Sequence, residues 1–256
     1  ADAHMENRVG VFESVLNPPE GDSTTAKVCF PPDFDSVEDA IDDIVEDDTI
    51  VPRELQSGTR FDDDFVHFRH KHGSYWRWVR PVFEGPTRSA ANARIEFRPL
   101  PAQPTVDDAV AFEALVAGLM ESLVRFEHPI QSQDWETAKA NFYAATRDGL
   151  AADIEWVTAD GATTTATDEI YGELFEHARE GLEQRGLSTE AAHEYLRPLR
   201  ERVDRRMTPA RWKHDYVRKR VEENVPLAEA IWGMQNAYIS QQEATLLEGT
   251  FLDWLE

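Results

Sequence analysis

Apolar and polar side chains alternate in the middle of the chain, and apolar residues recur every three to four positions toward its end. Segment 74–84 contains two tryptophans, a tyrosine, a phenylalanine and two valines, and segment 92–99 alternates in the same way. Both segments predict strands because alternation and aromatic or β-branched residues are typical of a half-buried sheet. The short loop 85–90 between them predicts an antiparallel pair.

Two shorter strand candidates, 8–12 and 25–30, flank a turn signal at 18–21. An acidic helix is predicted next. Ser36 is followed three residues later by Asp39, which is the spacing of a capping box. Four apolar residues fall on one side of this helix, namely Val37, Ala40, Ile41 and Ile44. Its many carboxylates predict a solvated outer face.

After Pro104 the spacing is helical throughout. Thr105 and Asp108 predict the N-terminal cap of a helix that extends to about Phe126. Its predicted apolar stripe consists of Ala109, Phe112, Leu115, Val116, Leu119, Met120 and Leu123. Further helices are predicted at about 134–149, 168–185, 188–206, 209–223 and 227–254, with Gly233 as the candidate for a break in the last.

Strands followed by a run of helices predict an α+β fold, with helices packed on one face of an antiparallel β-sheet and a predominantly helical C-terminal half. The predicted organisation is a β-rich part, 1–104, and a helical part, 105–256, within one structural domain. Walker A, dinucleotide-binding and zinc-protease motifs are absent from the sequence.

The charge of the chain limits its partners. It has 49 acidic and 26 basic residues, a net charge of −23, and its bases are 21 arginines and only 5 lysines. This composition predicts a halophilic protein, and its field repels nucleic acid and anionic lipid. No apolar run suffices for a membrane span and no signal-peptide pattern opens the chain. The single cysteine, Cys29, cannot form an intrachain disulfide. We therefore expect a cytoplasmic protein.

Three charged residues of the predicted strand 92–99 carry the first candidate site. Arg94, Glu96 and Arg98 share one face because alternate strand residues point the same way. Such a row is costly unless it meets a ligand, a metal or paired charges. Glu96 could bind Mg²⁺ together with substrate phosphate, and the arginines could clamp phosphate oxygens. An exposed ladder of paired charges fits the pattern equally well.

Segment 72–81 alternates aromatic residues with arginines and is the second candidate. Arg77, Trp78 and Arg80 could form a wall for a nucleotide or an amino acid. An amphipathic strand whose arginines pair with carboxylates is the reading that the pattern alone favours. His72, at the start of this segment, is the histidine that we expect near substrate.

Three histidines within six residues, His67, His70 and His72, also suggest a metal site. No acidic or cysteine ligand accompanies them at a known spacing. On a strand, His67 would face away from the other two. A contact between one of them and substrate is therefore the stronger hypothesis.

A basic stretch, 197–220, stands out in this acidic chain because it has ten arginines or lysines against three acidic residues. Nucleic-acid binding is one interpretation. Pairing of these arginines with acidic helices such as 168–184 is the interpretation that we favour.

The two strand segments together are similar to a known family. GSYWRWVRP at 73–81 and ARIEFRPLPAQPT at 93–105 resemble glutamate–cysteine ligase family 2, in a halophilic archaeal type. That family is expected to have an H-N-G-T-x-Y-R-W-N-R-P stretch followed by R-x-E-x-R-x-L-P-A-G-P-T. A weaker resemblance at 141–145 and 206–212 extends it over most of the chain.

Three positions depart from this pattern. Val79 replaces an expected asparagine, His72 lies where the family has asparagine, and Gln103 replaces glycine. These departures concern the amino-acid substrate more than the nucleotide chemistry. The resemblance implies a glutamine-synthetase-like catalytic fold whose N-terminal half carries a Glu-x-Glu strand. No such motif is present, so we expect an incomplete fold and a C-terminal portion of a longer protein.

The resemblance also implies the reaction. ATP would phosphorylate the γ-carboxylate of glutamate, and the amine of cysteine would attack the acyl phosphate. Glu96 would bind Mg²⁺, Arg98 would clamp phosphate with help from Arg94, and the substrate side would be lined by His72, Arg77, Trp78 and Arg80. Expected partners are ATP, glutamate, cysteine and further copies of the chain. The alternatives are a ligase for another amino-acid pair and a non-catalytic helical partner-binding module.

Overall fold

The computed structural model describes residues 4–17, 26–56 and 58–255. The chain forms two compact units, a small unit, Asn7–Pro101, and a large unit, Ala1–Glu6 with Ala102–Glu256. The architecture is α+β, as predicted, with helices dominating and strands in short pairs. The predicted turn at 18–21 lies outside the described residues.

Within residues 7–17, 26–56 and 58–101, the small unit has three α-helices and four strands. Its helices are α1 (Asn7–Leu16), α2 (Val37–Glu46) and α3 (Val66–Ser74). Its strands are β1 (Val28–Cys29), β2 (Trp76–Arg77), β3 (Val79–Glu84) and β4 (Asn92–Phe97). β1 and β2 pair in parallel, whereas β3 and β4 form the predicted antiparallel pair. In that pair Arg80 lies opposite Glu96 and Val82 lies opposite Arg94.

Two predictions for this unit are wrong. Segment 8–12 is helical, because Val9, Phe12 and Leu16 recur at helical spacing and Val9 is buried. Segment 74–84 is not one strand, because its pairing changes at Trp78. The N–H of Trp78 donates to the carbonyl of Cys29 on β1 at 3.0 Å, and its own carbonyl accepts from the N–H of Arg98, beyond β4, at 2.9 Å.

The prediction of a single antiparallel sheet covered by helices is also wrong. Within the described residues, strands form three separate two-stranded sheets, one of them parallel. The predicted cap of α2 is confirmed, since the Ser36 hydroxyl accepts from the N–H of Asp39 at 3.1 Å. Ala40 and Ile44 are buried on the predicted side, but Val37 is 59% exposed.

The described part of the large unit, residues 4–6 and 102–255, has six α-helices and one β-hairpin. The helices are α4 (Val106–Arg125), α5 (Trp135–Asp148), α6 (Thr167–Gln184), α7 (Thr189–Asp204), α8 (Pro209–Glu222) and α9 (Leu227–Thr245). The hairpin strands are β5 (Trp156–Val157) and β6 (Thr163–Thr164), which the sequence analysis missed. The Thr105 cap is confirmed by a 3.1 Å bond from the N–H of Asp108.

The last predicted helix, 227–254, ends too late. α9 continues through Gly233 and stops at Thr245, so the expected break at that glycine is wrong. A bend at 246–248 and, after two further residues, a short 3-10 helix, Phe251–Leu255, follow. The other predicted helices agree with the structure to within two residues.

α4, α6 and α7 form the core of the large unit. Their buried apolar residues are Ala111, Phe175, Ala178, Leu182, Ala192, Leu196, Leu199 and Val203. α4 and α6 touch through backbone, because a Cβ on Gly118 would lie 2.1 Å from the carbonyl oxygen of Ala178. The predicted stripe of α4 is therefore partly wrong. Ala109 and Met120 are exposed, whereas Gly118 is buried.

A buried ion pair joins three parts of the large unit. Asp108 near the start of α4 has no exposed side chain, and Arg202 of α7 lies 2.7 Å from it. The second Asp108 oxygen accepts from the N–H of Phe251 at 2.9 Å. Arg202 also donates to the side chain of Gln103 at 2.9 Å. Phe251 and Trp254, near the end of the chain, thereby pack in an aromatic cluster with Trp212 and Tyr238.

The basic stretch 197–220 has acidic neighbours, mostly within its own helices. Glu201 pairs with Arg197 and Arg205. Of the predicted pairings with helix 168–184, the bond from Arg206 to Asp168 at 2.5 Å is confirmed. In the part of the chain that the structure describes, none of the helices has the length and apolar character needed to cross a membrane.

Candidate functional site

A cavity of about 240 Å³ opens in the small unit. Its lining consists of Arg8, Phe12, Val28, Trp76, Arg77, Trp78 and Arg98. The guanidinium of Arg98 lies 5.9 Å from the ring of Trp76, and that of Arg8 lies 5.9 Å from the ring of Trp78. A volume of this size is smaller than typical pockets for drug-sized ligands. It can hold one part of a ligand, such as an amino acid or a phosphate group.

Glu96 lies between two guanidinium groups beside this cavity. Its Oε2 accepts from the Nε of Arg80 at 2.5 Å and lies 3.9 Å from the Nε of Arg98. Burial tends to raise the pKa of Glu96, but the hydrogen bond and charge of Arg80 outweigh it and hold that pKa below its usual value. The Glu96 side chain is 36% exposed, so an ionised carboxylate reaches solvent.

Arg80 is buried and fixed by the backbone around it. Its Nη1 donates to the carbonyl of His72 at 2.7 Å and to the carbonyl of Tyr75. Arg98 is less constrained. Among the described residues, its buried Nη1 atom has no hydrogen-bond partner. A buried donor without a partner is uncommon and favours an anion as its ligand.

Arg77 is held mainly by protein groups. Its guanidinium stacks on Tyr75 at 4.3 Å and donates to the carbonyls of Ala26 and Lys27 at 3.1 and 3.0 Å. Asp43 and Asp47 lie 3.4 and 3.5 Å from it. Arg77 therefore forms part of the cavity wall and does not supply a mobile charge.

The remaining predicted residues take different positions. Trp78 lines the cavity and donates its indole N–H to Glu13 at 2.8 Å. The buried imidazole of His72 bonds the carbonyl of Pro81 at 2.9 Å, away from the cavity lining. Arg94 pairs with Glu84 on the exposed part of the hairpin. The structure thus brings Arg80, Glu96 and Arg98 together and leaves His72 and Arg94 outside that group.

Comparison with known families places these motifs in context. The family model described as Glutamate-cysteine ligase family 2 matches residues 2–235. The chain belongs to glutamate–cysteine ligase family 2. No curated protein and no solved structure matches it.

Glutamate–cysteine ligase family 2 is a family of ATP-dependent carboxylate–amine ligases. The match to its family model confirms the resemblance inferred from 73–81 and 93–105. Both segments lie within the match. They contribute β2, β3 and β4, together with the residues around Glu96. In this member of the family, the two motifs meet through the antiparallel register of β3 and β4.

Sequence reasoning missed three of the residues that line the cavity, namely Arg8, Phe12 and Val28. Arg8 and Phe12 were assigned to a strand, but both belong to α1. Arg8 donates to the carbonyls of Arg98 and Pro99 at 3.0 and 2.6 Å, and Phe12 packs edge-on against Trp78. The helical spacing of apolar residues in 9–16 was the signal that could have found them.

The three histidines that suggested a metal site also differ from the prediction in their secondary structure. His67, His70 and His72 lie on α3, not on a strand, and His70 bonds the carbonyl of Val51 at 2.8 Å. Among the described residues, the potential metal ligands that cluster are His128, Glu173 and His177 of the large unit. In the sequence, their one local signal is the four-residue spacing of the last two.

Acid sensitivity is expected from His72. Burial lowers its pKa, so the unfolded chain takes up a proton before the folded chain does. Stability that is present above the unfolded pKa, about 6.5, should therefore fall as pH decreases through that region. Replacing His72→Gln should reduce the loss of melting temperature between about pH 7.5 and 5.5. The exposed His67→Gln should retain the native loss, and equal losses in all three proteins would contradict this role.

Proposed function

We propose that the chain takes part in joining the γ-carboxylate of glutamate to the amine of cysteine, using ATP and Mg²⁺. The family supports ligase chemistry. The observation that carries the proposal is the ionised, partly exposed Glu96 between Arg80 and Arg98, beside a cavity with aromatic walls. Phosphoryl transfer to a carboxylate needs positioned cations more than covalent help from the protein.

One carboxylate oxygen of Glu96 is available to bind Mg²⁺. Both guanidinium contacts fall on its Oε2, so Oε1 is the oxygen that we assign to the metal. Mg²⁺ commonly uses one or two protein carboxylates and completes its shell with water and substrate phosphate. When bound, it would neutralise charge on the transferred phosphoryl group.

The other residues would hold the reacting groups. We assign Arg98 Nη1 to an oxygen of the γ-phosphate, and Arg80 to fixing Glu96 in place. Arg94, which pairs with Glu84 outside this group, is given no contact with the reacting groups. Trp76 and Trp78 would exclude water from the acyl phosphate, whose phosphate leaves when the amine nitrogen bonds the carbonyl carbon.

Calorimetric titration of Mg²⁺-ADP into the chain in molar KCl tests this assignment. Glu96→Gln and Arg98→Gln should each weaken binding by at least about tenfold, since each loses a charge-assisted contact. The exposed Arg88→Gln on the loop between β3 and β4 is the matched control and should bind as the native chain does. Omitting Mg²⁺ should weaken binding to the native chain but not weaken Glu96→Gln further.

Binding that is equally tight in Glu96→Gln, with and without Mg²⁺, would contradict the metal assignment. The non-catalytic module predicts no nucleotide binding. It gains support from the Arg80–Glu96 pair, which also suits a structural charge ladder. In that case Glu96→Ala should lower the free energy of unfolding by about 1–3 kcal/mol, because it removes the carboxylate partner of the buried Arg80.

The amine and carboxylate substrates need a separate assay. ADP release with glutamate and cysteine, compared with other amino-acid pairs, should be highest for glutamate and cysteine. A higher rate with another pair would retain the ligase and change its substrates. A homo-oligomeric, cytoplasmic enzyme without nucleic-acid or membrane partners remains our prediction.

A further inference from the structure

The large unit contains a second cluster of chemically active side chains. His128 follows the C-terminal end of α4, whereas Glu173 and His177 lie one turn apart on α6. One potential ligand atom from each residue lies within 4.8 Å of the other two. We propose that these three residues bind one Zn²⁺ ion, at a site that shares no residue with the cavity of the small unit.

The donor set favours zinc over magnesium. Two imidazole nitrogens and one carboxylate oxygen are ligands that Zn²⁺ takes in protein sites, with water in the fourth position. His128 is only 2% exposed, and its Nε2 already lies 2.9 Å from Glu173 Oε1. Ligand atoms around tetrahedral zinc are about 3.3 Å apart. The widest pair would therefore have to close by no more than about 1.5 Å.

Further residues hold these ligands in orientation. The buried hydroxyl of Ser122 bonds Nδ1 of His177 at 2.9 Å. Glu173 accepts from the indole N–H of Trp156 at 2.9 Å and from the N–H of Ala159 at 3.1 Å. Supporting hydrogen bonds of this kind orient metal ligands and raise affinity. The arrangement is thus partly organised without the ion.

The hydrogen bonds of His128 define the tautomer that zinc would have to change. The N–H of Ile130 donates to Nδ1 of His128 at 3.0 Å, so Nδ1 is an acceptor and Nε2 is the N–H that faces Glu173 at 2.9 Å. Zinc would bind the Nε2 lone pair, and the proton would move to Nδ1. This exchange leaves the Ile130 N–H and the new Nδ1–H facing each other at 3.0 Å, so the backbone at Ile130 must shift and the affinity falls by roughly 10- to 100-fold.

Zinc at this position would join separate elements of the large unit. Its ligands would connect the end of α4 to α6, and Trp156 would attach the β5–β6 hairpin to the same point. Metal-binding free energy then adds to the stability of the large unit. The nucleotide cavity belongs to the small unit, so the two proposals can fail independently.

The whole chain, freed of metal with a chelator, provides the test. Cobalt titration should give the visible absorption of a tetrahedral complex at one equivalent, and zinc should displace the cobalt. Zinc competition against a chromophoric chelator should show weakening by at least about 100-fold in Glu173→Gln and His177→Gln. Ser122→Ala, which removes only a supporting hydroxyl, should weaken binding by about tenfold or more.

His67→Gln, on α3 of the small unit, is the control and should bind zinc as the native chain does. Zinc should also raise the melting temperature of the native chain and not that of His177→Gln. Near-ultraviolet circular dichroism shows whether each variant is folded. Absence of stoichiometric binding by the folded native chain, or unchanged affinity in folded His177→Gln, would overturn the proposal.

Discussion

Asp108→Ala is expected to lower the free energy of unfolding by about 3–5 kcal/mol. The change leaves the buried guanidinium of Arg202 without its carboxylate partner at 2.7 Å. Burial already lowers the pKa of Arg202, and the charge of Asp108 acts against that effect. Asp108 also holds the N–H of Phe251, so the end of the chain loses a buried hydrogen bond as well.

Chemical denaturation in concentrated KCl measures this effect, with Asp107→Ala as the matched control. Asp107 is the exposed neighbour in the same helical turn, and its loss should change stability by no more than about 0.5 kcal/mol. Replacing both partners, Asp108→Leu with Arg202→Met, should recover a large part of the loss, because no charge is then stranded. Similar stabilities for Asp108→Ala and Asp107→Ala would show that the pair contributes little.

Gly118→Ala is expected to destabilise the large unit by about 1–3 kcal/mol. The added Cβ would lie 2.1 Å from the Ala178 carbonyl oxygen, and backbone cannot move aside as a flexible side chain can. α4 and α6 would have to separate, which disturbs the shared core with α7. The effect should be visible as a lower denaturation midpoint.

Gly172→Ala on α6 is the control with the opposite sign. A Cβ at Gly172 meets nothing within 4 Å, so the helix gains propensity and about 0.5–1 kcal/mol of stability. A destabilised Gly172→Ala, or an undisturbed Gly118→Ala, would contradict close backbone packing between these helices.

Local signals predicted much of the secondary structure. Ser36 and Thr105 each cap a helix by accepting a hydrogen bond from the N–H three residues later, and the capping-box spacing in the sequence reveals both directly. The β3–β4 pair followed from alternation and a short loop. Its register then determined the pairing of Arg80 with Glu96, although the sequence identified only the strand face.

Features that depend on distant residues were harder to predict. α1 was missed because a five-residue window at 8–12 is too short to separate helix from strand. The face of α4 was misplaced because its closest contact uses glycine, which carries no apolar signal. The cluster of His128, Glu173 and His177 forms only because α6 packs beside the end of α4. No sequence pattern in 128–177 predicts that contact.

The aromatic cluster at the end of the chain should make the packing of these last residues detectable by optical spectroscopy. Trp254 lies 4.9 Å from Tyr238 and 5.7 Å from Trp212, with all three rings steeply inclined. Close, fixed aromatic rings give strong near-ultraviolet dichroism and efficient energy transfer. Trp232 on α9 is 72% exposed and would emit at long wavelength. Detachment of the last described residues should therefore have its own optical signature.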